Sequence, residues 1–283
     1  MSLTVTDAQG FYAADSVTFT IDGSPSAPVV LITPETPASD DTLTGVVVEE
    51  SIDPEGDEVT YTYVWTLNGE VTEYVGLEVP PEATERNDVW EFWAIPWDGT
   101  SEGEAGVDDA VVGNAKPSIT AVALSPDPAT TSDTLTCSYS GWYDEDGDPD
   151  TSTYAWTLNG SAVTGASDTF PGGHVGGDTV TCLVTPNDSF QDGDPVSASL
   201  VISNTAPVLD AATLTPTTVY EGDTFTCTPG TSTDADGDVV TYGYAWTVDG
   251  SDPGQTGDQL TSTYFDKTDP VRCTVTPNDG TEN

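Results

Sequence analysis

Asp144-Glu145-Asp146-Gly147-Asp148, followed eight residues later by Trp156 in Tyr154-Ala155-Trp156-Thr157-Leu158-Asn159-Gly160, is the stretch from which the fold is read. It recurs twice. Asp53-Pro54-Glu55-Gly56-Asp57 precedes Trp65 and Leu67-Asn68-Gly69, and Asp234-Ala235-Asp236-Gly237-Asp238 precedes Trp246 and Val248-Asp249-Gly250. Each copy is an acidic loop that feeds a strand carrying one large core residue. Asn-Gly or Asp-Gly directly after alternating apolar residues is the strongest short hairpin signal.

Working outward from repeat two, Leu135 and Cys137, then Tyr154, Trp156 and Leu158, then Val180, Cys182 and Val184 alternate with period two. Each strand therefore buries one face. Clusters of Pro, Gly, Asn and Asp separate these short segments, and no segment has a convincing helical period. The pattern predicts an all-β sandwich.

The linkers Ser24-Pro25-Ser26-Ala27-Pro28, Asn114-Ala115-Lys116-Pro117 and Asn204-Thr205-Ala206-Pro207 divide the chain. Their last prolines are 89 and 90 residues apart. The expected domains are residues 28–116, 117–206 and 207–283. Residues 1–27 read as the terminal hairpin of a preceding repeat: Leu3-Thr4-Val5-Thr6 resembles Cys273-Thr274-Val275-Thr276, and Val17, Phe19 and Ile21 alternate like a last strand. Residues 207–283 end before such a strand. The ends are complementary in phase, as expected for a fragment of a longer array, or for donation of residues 15–22 of one molecule to the third sandwich of the next.

The chain has 283 residues, with 49 acidic against 4 basic ones and a formal charge of −45. Such charge repels nucleic acid and anionic membranes and opposes compactness unless cations neutralise it. A solvated acidic surface that keeps the chain soluble is the plainer alternative. No apolar run is long enough to span a membrane, and the amino terminus has no basic or apolar leader pattern.

Four cysteines allow three disulfide connectivities. The matched spacing of Cys137 with Cys182 and Cys227 with Cys273, each pair bracketing a Trp, favours those two bridges and an oxidising compartment. Each bridge closes a loop of about 45 residues, worth on the order of 4 kcal/mol in the chain-entropy account.

Cys, then Trp 19 residues on, then Cys 26 or 27 further, has the order of an immunoglobulin-type sandwich, in which a bridge between sheets packs on a Trp. With the Asp-rich loop, Tyr-x-Trp-x-x-Asn/Asp-Gly, Gly-Asp-Thr-x-Thr-Cys and Thr-Pro-Asn-Asp, the chain resembles bacterial immunoglobulin-like repeats related to PKD and cadherin-like domains. The resemblance implies tandem immunoglobulin-like β-sandwiches arranged as an elongated rod. Val180 and Val271 stand where antibody-like domains carry a tyrosine, so the chain departs from those. Repeat one departs further: Gly45 and Phe92 occupy the cysteine positions, and inward-facing Trp90 and Phe92 are expected to fill the space. Val64, Trp93, Ile95 and Trp97 then form a more apolar outer patch, read either as local packing or as a contact for a glycan or surface protein.

In that fold the acidic loop and the loop after the third core strand emerge at the end where the domain's own chain enters. Asp188 is thereby expected to join Asp144, Asp146 and Asp148. Asp98 joins Asp53, Glu55 and Asp57, and Asp279 joins Asp234, Asp236 and Asp238. Clustered carboxylates suit calcium, which takes six to eight oxygens in flexible geometry. The alternative is Asp-rich turns whose side chains cap backbone amides. The glycine in each loop lets the alternate carboxylates converge. As the cadherin-like resemblance implies, calcium at each junction would stiffen the linker.

Catalysis finds little support. His174, the single histidine, sits in Pro171-Gly172-Gly173-His174-Val175-Gly176-Gly177, which reads as a surface loop without a nucleophile partner. The leading expectation is a secreted or surface-attached, non-catalytic array whose partners are neighbouring repeats or like subunits, serving as stalk, adhesin segment or filament subunit. The alternative is a carbohydrate- or protein-binding accessory module of a larger secreted enzyme.

Overall fold

A computed structural model describes residues 2–17, 21–165, 167–220 and 222–281. The described residues form antiparallel strands and two single-turn 3₁₀ segments, Pro81–Ala83 and Ser262–Tyr264, with no α-helix. They fall into two compact units: residues 1–116 with the loop Asp144–Pro149, and residues 117–143 with 150–283.

In the first unit, strands Val29–Thr33, Leu43–Glu49 and Glu78–Val79 form one sheet, and Glu70–Val71, Thr60–Leu67, Val89–Trp97 and Gly106–Val111 form the other, in those spatial orders. Between them lie Val30, Ile32, Leu43, Trp65, Val79, Trp90, Phe92 and Ala94. Alternation along Val89–Trp97 is strict throughout: Trp90, Phe92, Ala94 and Pro96 are buried, while Val89 and Trp97 are exposed and Trp93 and Ile95 are half-buried. At the amino end Ser2–Thr6 pairs with Tyr12–Ser16. Of the segment 15–22 expected to be a last strand, residues 18–20 lie outside the described residues.

The second unit holds two cores, one around Trp156 and one around Trp246. Ser161–Val163, Thr153–Leu158, Thr179–Thr185 and Val196–Val201 make a four-stranded sheet facing the pair Ala121–Ser125 and Thr136–Ser140. Around Trp246, Ala212–Thr215, Thr224–Pro229 and Gln259–Thr261 oppose the pair Thr241–Val248 and Val271–Asn278.

The register explains why one motif builds all three cores. Trp156 pairs across with Cys182 and Trp246 with Cys273, while Trp65 pairs with Phe92. On the opposite sheet Leu124 pairs with Cys137, Leu214 with Cys227 and Ile32 with Gly45. Cys137 bonds Cys182 and Cys227 bonds Cys273, with Cα atoms 6.4 and 6.3 Å apart. Phe92 fills that space in the first unit, its ring 4.8 Å from Trp65 between centroids. Each Trp also spends its indole N–H on a carbonyl eleven residues on: Gly76 at 2.9 Å, Ser167 at 2.9 Å and Gly257 at 2.8 Å. A buried donor is thereby satisfied.

After each Trp strand the hairpin turns through two residues of positive φ, Asn68-Gly69, Asn159-Gly160 and Asp249-Gly250. That is the type I′ geometry that matches strand twist.

Candidate functional site

The acidic loops fold alike from their own hydrogen bonds. Asp53 Oδ1 accepts the N–H groups of Glu55 at 2.9 Å and Asp57 at 3.0 Å, and Asp234 Oδ1 those of Asp236 at 2.9 Å and Asp238 at 3.1 Å. Asp144 Oδ1 accepts from Asp148 N–H at 2.8 Å. These are Asx-type turns, in which a short carboxylate stands in for a backbone carbonyl. The fourth residue, Gly56, Gly147 or Gly237, has φ of 85°, 73° or 84°, a region that favours glycine.

Two of the predicted triplets converge. Asp144, Asp146 and Asp148 each offer an oxygen within 4.8 Å of the others, and so do Asp234, Asp236 and Asp238. Asp53, Glu55 and Asp57 do not form such a group among the described residues. In all three loops the first aspartate keeps one oxygen, Oδ2 of Asp53, Asp144 and Asp234, buried without a hydrogen-bond partner. A buried, unpaired carboxylate oxygen is costly. This recurrence, with an all-oxygen donor set, fits a hard cation such as calcium better than zinc.

The middle carboxylate has another job, invisible in the sequence. In the second unit, Asp236 Oδ2 accepts from Thr205 N–H at 2.6 Å, and Oδ1 accepts from Gly176 N–H at 2.7 Å and from the Thr131 hydroxyl. Burial pushes this carboxyl up, but those donors outweigh it and leave it below the ordinary carboxylate value. A Cβ on Gly176 would stand 2.8 Å from Asp236 Cγ, so only glycine admits the contact without a shift. In the first unit, Asp146 takes the Ala115 N–H and the Ser39 hydroxyl, both at 2.8 Å. Glu55, one methylene longer, takes Gly23 N–H at 3.0 Å. Each middle acid thus clamps the segment that enters its own repeat.

Arg86 adds a cation to one loop. Its guanidinium forks onto Asp148, with Nη2 3.2 Å from Oδ1 and Nη1 on Oδ2. At Asp234, Asp236 and Asp238 no ion pair forms among the described residues. The Thr84-Glu85-Arg86-Asn87-Asp88 turn is superposed in pattern on His174–Asp178 and on Phe265–Asp269: Glu85, Val175 and Asp266 donate to Asp88, Asp178 and Asp269 at 2.9, 2.8 and 2.8 Å. Arg86 therefore shares its register with Gly176 and Lys267. Its rarity in so acidic a chain was the one sequence signal that could have singled it out.

Of the carboxylates expected from the opposite loop, Asp98 and Asp188 are engaged within their own turns and Asp279 reaches further. Asp98 Oδ1 takes the N–H groups of Ser101 at 2.8 Å and Thr100 at 2.7 Å, and Oδ2 takes the Ser101 hydroxyl at 2.9 Å. These donors, led by Ser101 N–H, pull its carboxyl to about 2. Asp188 is fully buried, with Oδ1 on Phe190 and Gln191 N–H, both at 2.7 Å. Asp279 Oδ2 takes Asn204 Nδ2 at 2.8 Å, so this loop too reaches the entering segment.

Val64, Trp93 and Ile95 are half-buried on the outer face, with Trp93 Nε1 3.3 Å from Glu91, and Trp97 is 39% exposed. His174 corrects the sequence reading. It is buried, not on a surface loop, with its ring 5.5 Å from Phe170 and Nε2 3.3 Å from the Thr130 carbonyl. Among the described residues no helix is long and apolar enough to cross a membrane.

No family model matches the chain, and no curated protein does. Solved structures similar to it include a two fibronectin type-III domain segment from chicken tenascin, 13% identical, covering 63% of this chain and 99% of that one at a TM-score of 0.32. The FN1–FN3 domains of chicken CNTN1 are 11% identical and cover 91% and 94% at 0.26. The chicken interferon gamma receptor alpha chain is 11% identical and covers 65% and 100% at 0.36. The chain is, on its own strands and registers, a tandem array of all-β sandwich domains with two disulfides.

Proposed function

We propose that the chain is a non-catalytic structural or adhesive repeat array of the bacterial cell surface or extracellular space, and that calcium held by its acidic loops fixes its junctions. The disulfides support an oxidising compartment. The single observation that carries the calcium reading is the buried, unpaired Oδ2 that recurs on the first aspartate of all three loops. Asp234, Asp236 and Asp238 would hold one ion and Asp144, Asp146 and Asp148 another. Bound calcium supplies positive charge to oxygens that otherwise repel, and locks the loop whose middle acid clamps the linker. Asp53, Glu55 and Asp57 offer a looser set, and the acids Asp98, Asp188 and Asp279 would support the loops through their own turns.

The test is calorimetric titration of calcium, with magnesium for comparison, into chelator-stripped protein, paired with thermal unfolding. Saturable calcium binding and a rise in unfolding temperature are expected. Asp234→Asn should remove one binding event without lowering stability in chelator, because its amide relieves the unpaired charge. Absence of any calcium effect at millimolar concentration would sink the reading.

Two observations favour finer roles. Among the described residues Val271–Asn278 pairs with Thr241–Val248 alone, whereas its counterparts Val89–Trp97 and Thr179–Thr185 are flanked on both sides. That open edge would accept residues 15–22 of another copy and build a filament. Trp97, exposed on the same strand face as the half-buried Trp93, would suit a glycan or surface protein, as in an accessory binding module of a secreted enzyme. A glycan array with Trp93→Ala as control tests that role.

A further inference from the structure

On the outer face of the sheet that carries Trp65, the first repeat departs from the second in two neighbouring rows. Val64, Trp93 and Val107 lie side by side across three strands, where the second repeat has Ala155, Leu183 and Ser197. In the adjoining row Glu91 lies directly opposite Asp109. The matching pair in the second repeat is Thr181 and Ser199, whose hydroxyls share a hydrogen bond at 2.7 Å. Like charges directly opposite on neighbouring strands destabilise a sheet. Glu91 is partly compensated, because its Oε2 accepts from the Thr66 hydroxyl at 2.8 Å and from Trp93 Nε1 at 3.3 Å. Asp109 is exposed, and its side chain has no hydrogen-bond or ion-pair partner among the described residues. Val107 is 45% exposed and Trp93 is half-buried, so an apolar row lies open beside unbalanced negative charge.

We propose that this face binds an extended basic segment of another protein, one that carries a lysine or arginine two residues from an aliphatic side chain. Glu91, Trp93 and Ile95 recur at every second residue, about 7 Å apart along the strand, and side chains on one face of an extended peptide share that spacing. A cation set between Glu91 and Asp109 removes their repulsion and lies within reach of the Trp93 ring, whose π face attracts positive charge. The aliphatic residue then covers Ile95 and Val107. A neutral sugar would leave the two carboxylates opposed. A second copy of this chain is a poor source of the cation, since it has 4 basic residues among 283 and Arg86 is already held by Asp148. Charge pairs at the rim of a contact set specificity and salt dependence more than affinity, so binding is weak and selective for positive charge.

Because the site presupposes that this face is a contact surface, a neutral cello-oligosaccharide is titrated in parallel with the peptide probe. The full chain, labelled with ¹⁵N at its 7 tryptophans, is kept in chelator at about 150 mM salt, which screens non-specific attraction to so acidic a chain. The probe is an amidated peptide that repeats lysine, serine, valine, serine, and the same peptide with glutamine for lysine is its control. Trp93→Leu, which installs the residue of the second repeat, assigns the Trp93 indole signal. That signal should shift saturably with the lysine peptide and stay still with the glutamine one. Affinity should fall about tenfold in the double variant Glu91→Gln with Asp109→Asn, which keeps the side-chain shapes and removes the charge. Asp109→Asn alone should raise the unfolding midpoint, since it takes away the opposed charge. A Trp93 signal unmoved by the lysine peptide, an affinity indifferent to the double variant, or a lower midpoint for Asp109→Asn would overturn the proposal. Oligosaccharide binding in place of peptide binding would overturn it and leave the contact reading standing, whereas silence of Trp93 toward both probes would end that reading as well.

Discussion

Arg86 holds the Asp148 carboxylate with both terminal nitrogens of its guanidinium, 62 residues apart in sequence. The fork matches the two carboxylate oxygens in a way an ammonium does not. It places one fixed positive charge against the Asp144–Asp148 loop, where Gly176 leaves the Asp234–Asp238 loop without one.

Arg86→Ala should therefore loosen the Asp144 loop in chelator and increase its response to calcium. An unfolding temperature lower by roughly 2 °C in chelator is expected, with most of the loss recovered on adding calcium. Differential scanning calorimetry of Arg86→Ala and Arg86→Lys checks this. The lysine variant should fall between, and equal calcium response in all three proteins would show that the arginine and the metal do not share the loop.

Asp98 gives a pH signature. Its carboxyl is held at about 2 by Ser101 and Thr100, below the ordinary value of 3.8. A group depressed in the folded state stabilises it fully above the unfolded pKa, and that contribution is lost as pH falls from about 4 to about 2. Asp98→Asn should flatten the stability profile of the first unit in that window and leave its slope near neutrality unchanged. Urea unfolding at successive pH values measures it.

What the sequence displayed and what it hid divide by distance along the chain. Phe92 and Gly45 were placed correctly because period-two alternation fixes the face of a strand residue, and the registers Trp65 to Phe92 and Ile32 to Gly45 bear that out. The loops were visible because their carboxylates lie within five residues. Their clamps were not: Ser39 and Thr131 reach Asp146 and Asp236 from 107 and 105 residues away, and a lone Ser or Thr leaves no periodic trace. His174 was misread because neighbouring glycines suggest exposure, whereas its ring packs against Phe170.

Reduction should separate the repeats. The two bridges lie in the second unit, closing loops with sequence separations of 45 and 46, while Phe92 fills that place in the first. Each bridge contributes on the order of 4 kcal/mol by restricting the unfolded chain. Strong reductant should destabilise both bridged domains by about that amount and leave the first unit unchanged, turning urea unfolding into separate transitions. A uniform shift of the whole profile would mean the units unfold as one.

Gly45 and Phe92 are a matched pair. A Cβ on Gly45 would lie 2.4 Å from Phe92 Cε2, closer than van der Waals contact allows, because the ring occupies the space that the Cys137–Cys182 sulfurs take in the next repeat. Gly45→Ala overpacks this site and should cost about 1–3 kcal/mol. Phe92→Leu alone opens a void and also destabilises. Together the two changes should cost less than the sum of their separate effects, with a coupling on the order of 1 kcal/mol, because the smaller side chain yields room to the new methyl. Urea unfolding of the four proteins in the cycle, followed by Trp fluorescence, measures the coupling, and strict additivity would mean that Phe92 moves aside freely and does not seal this core.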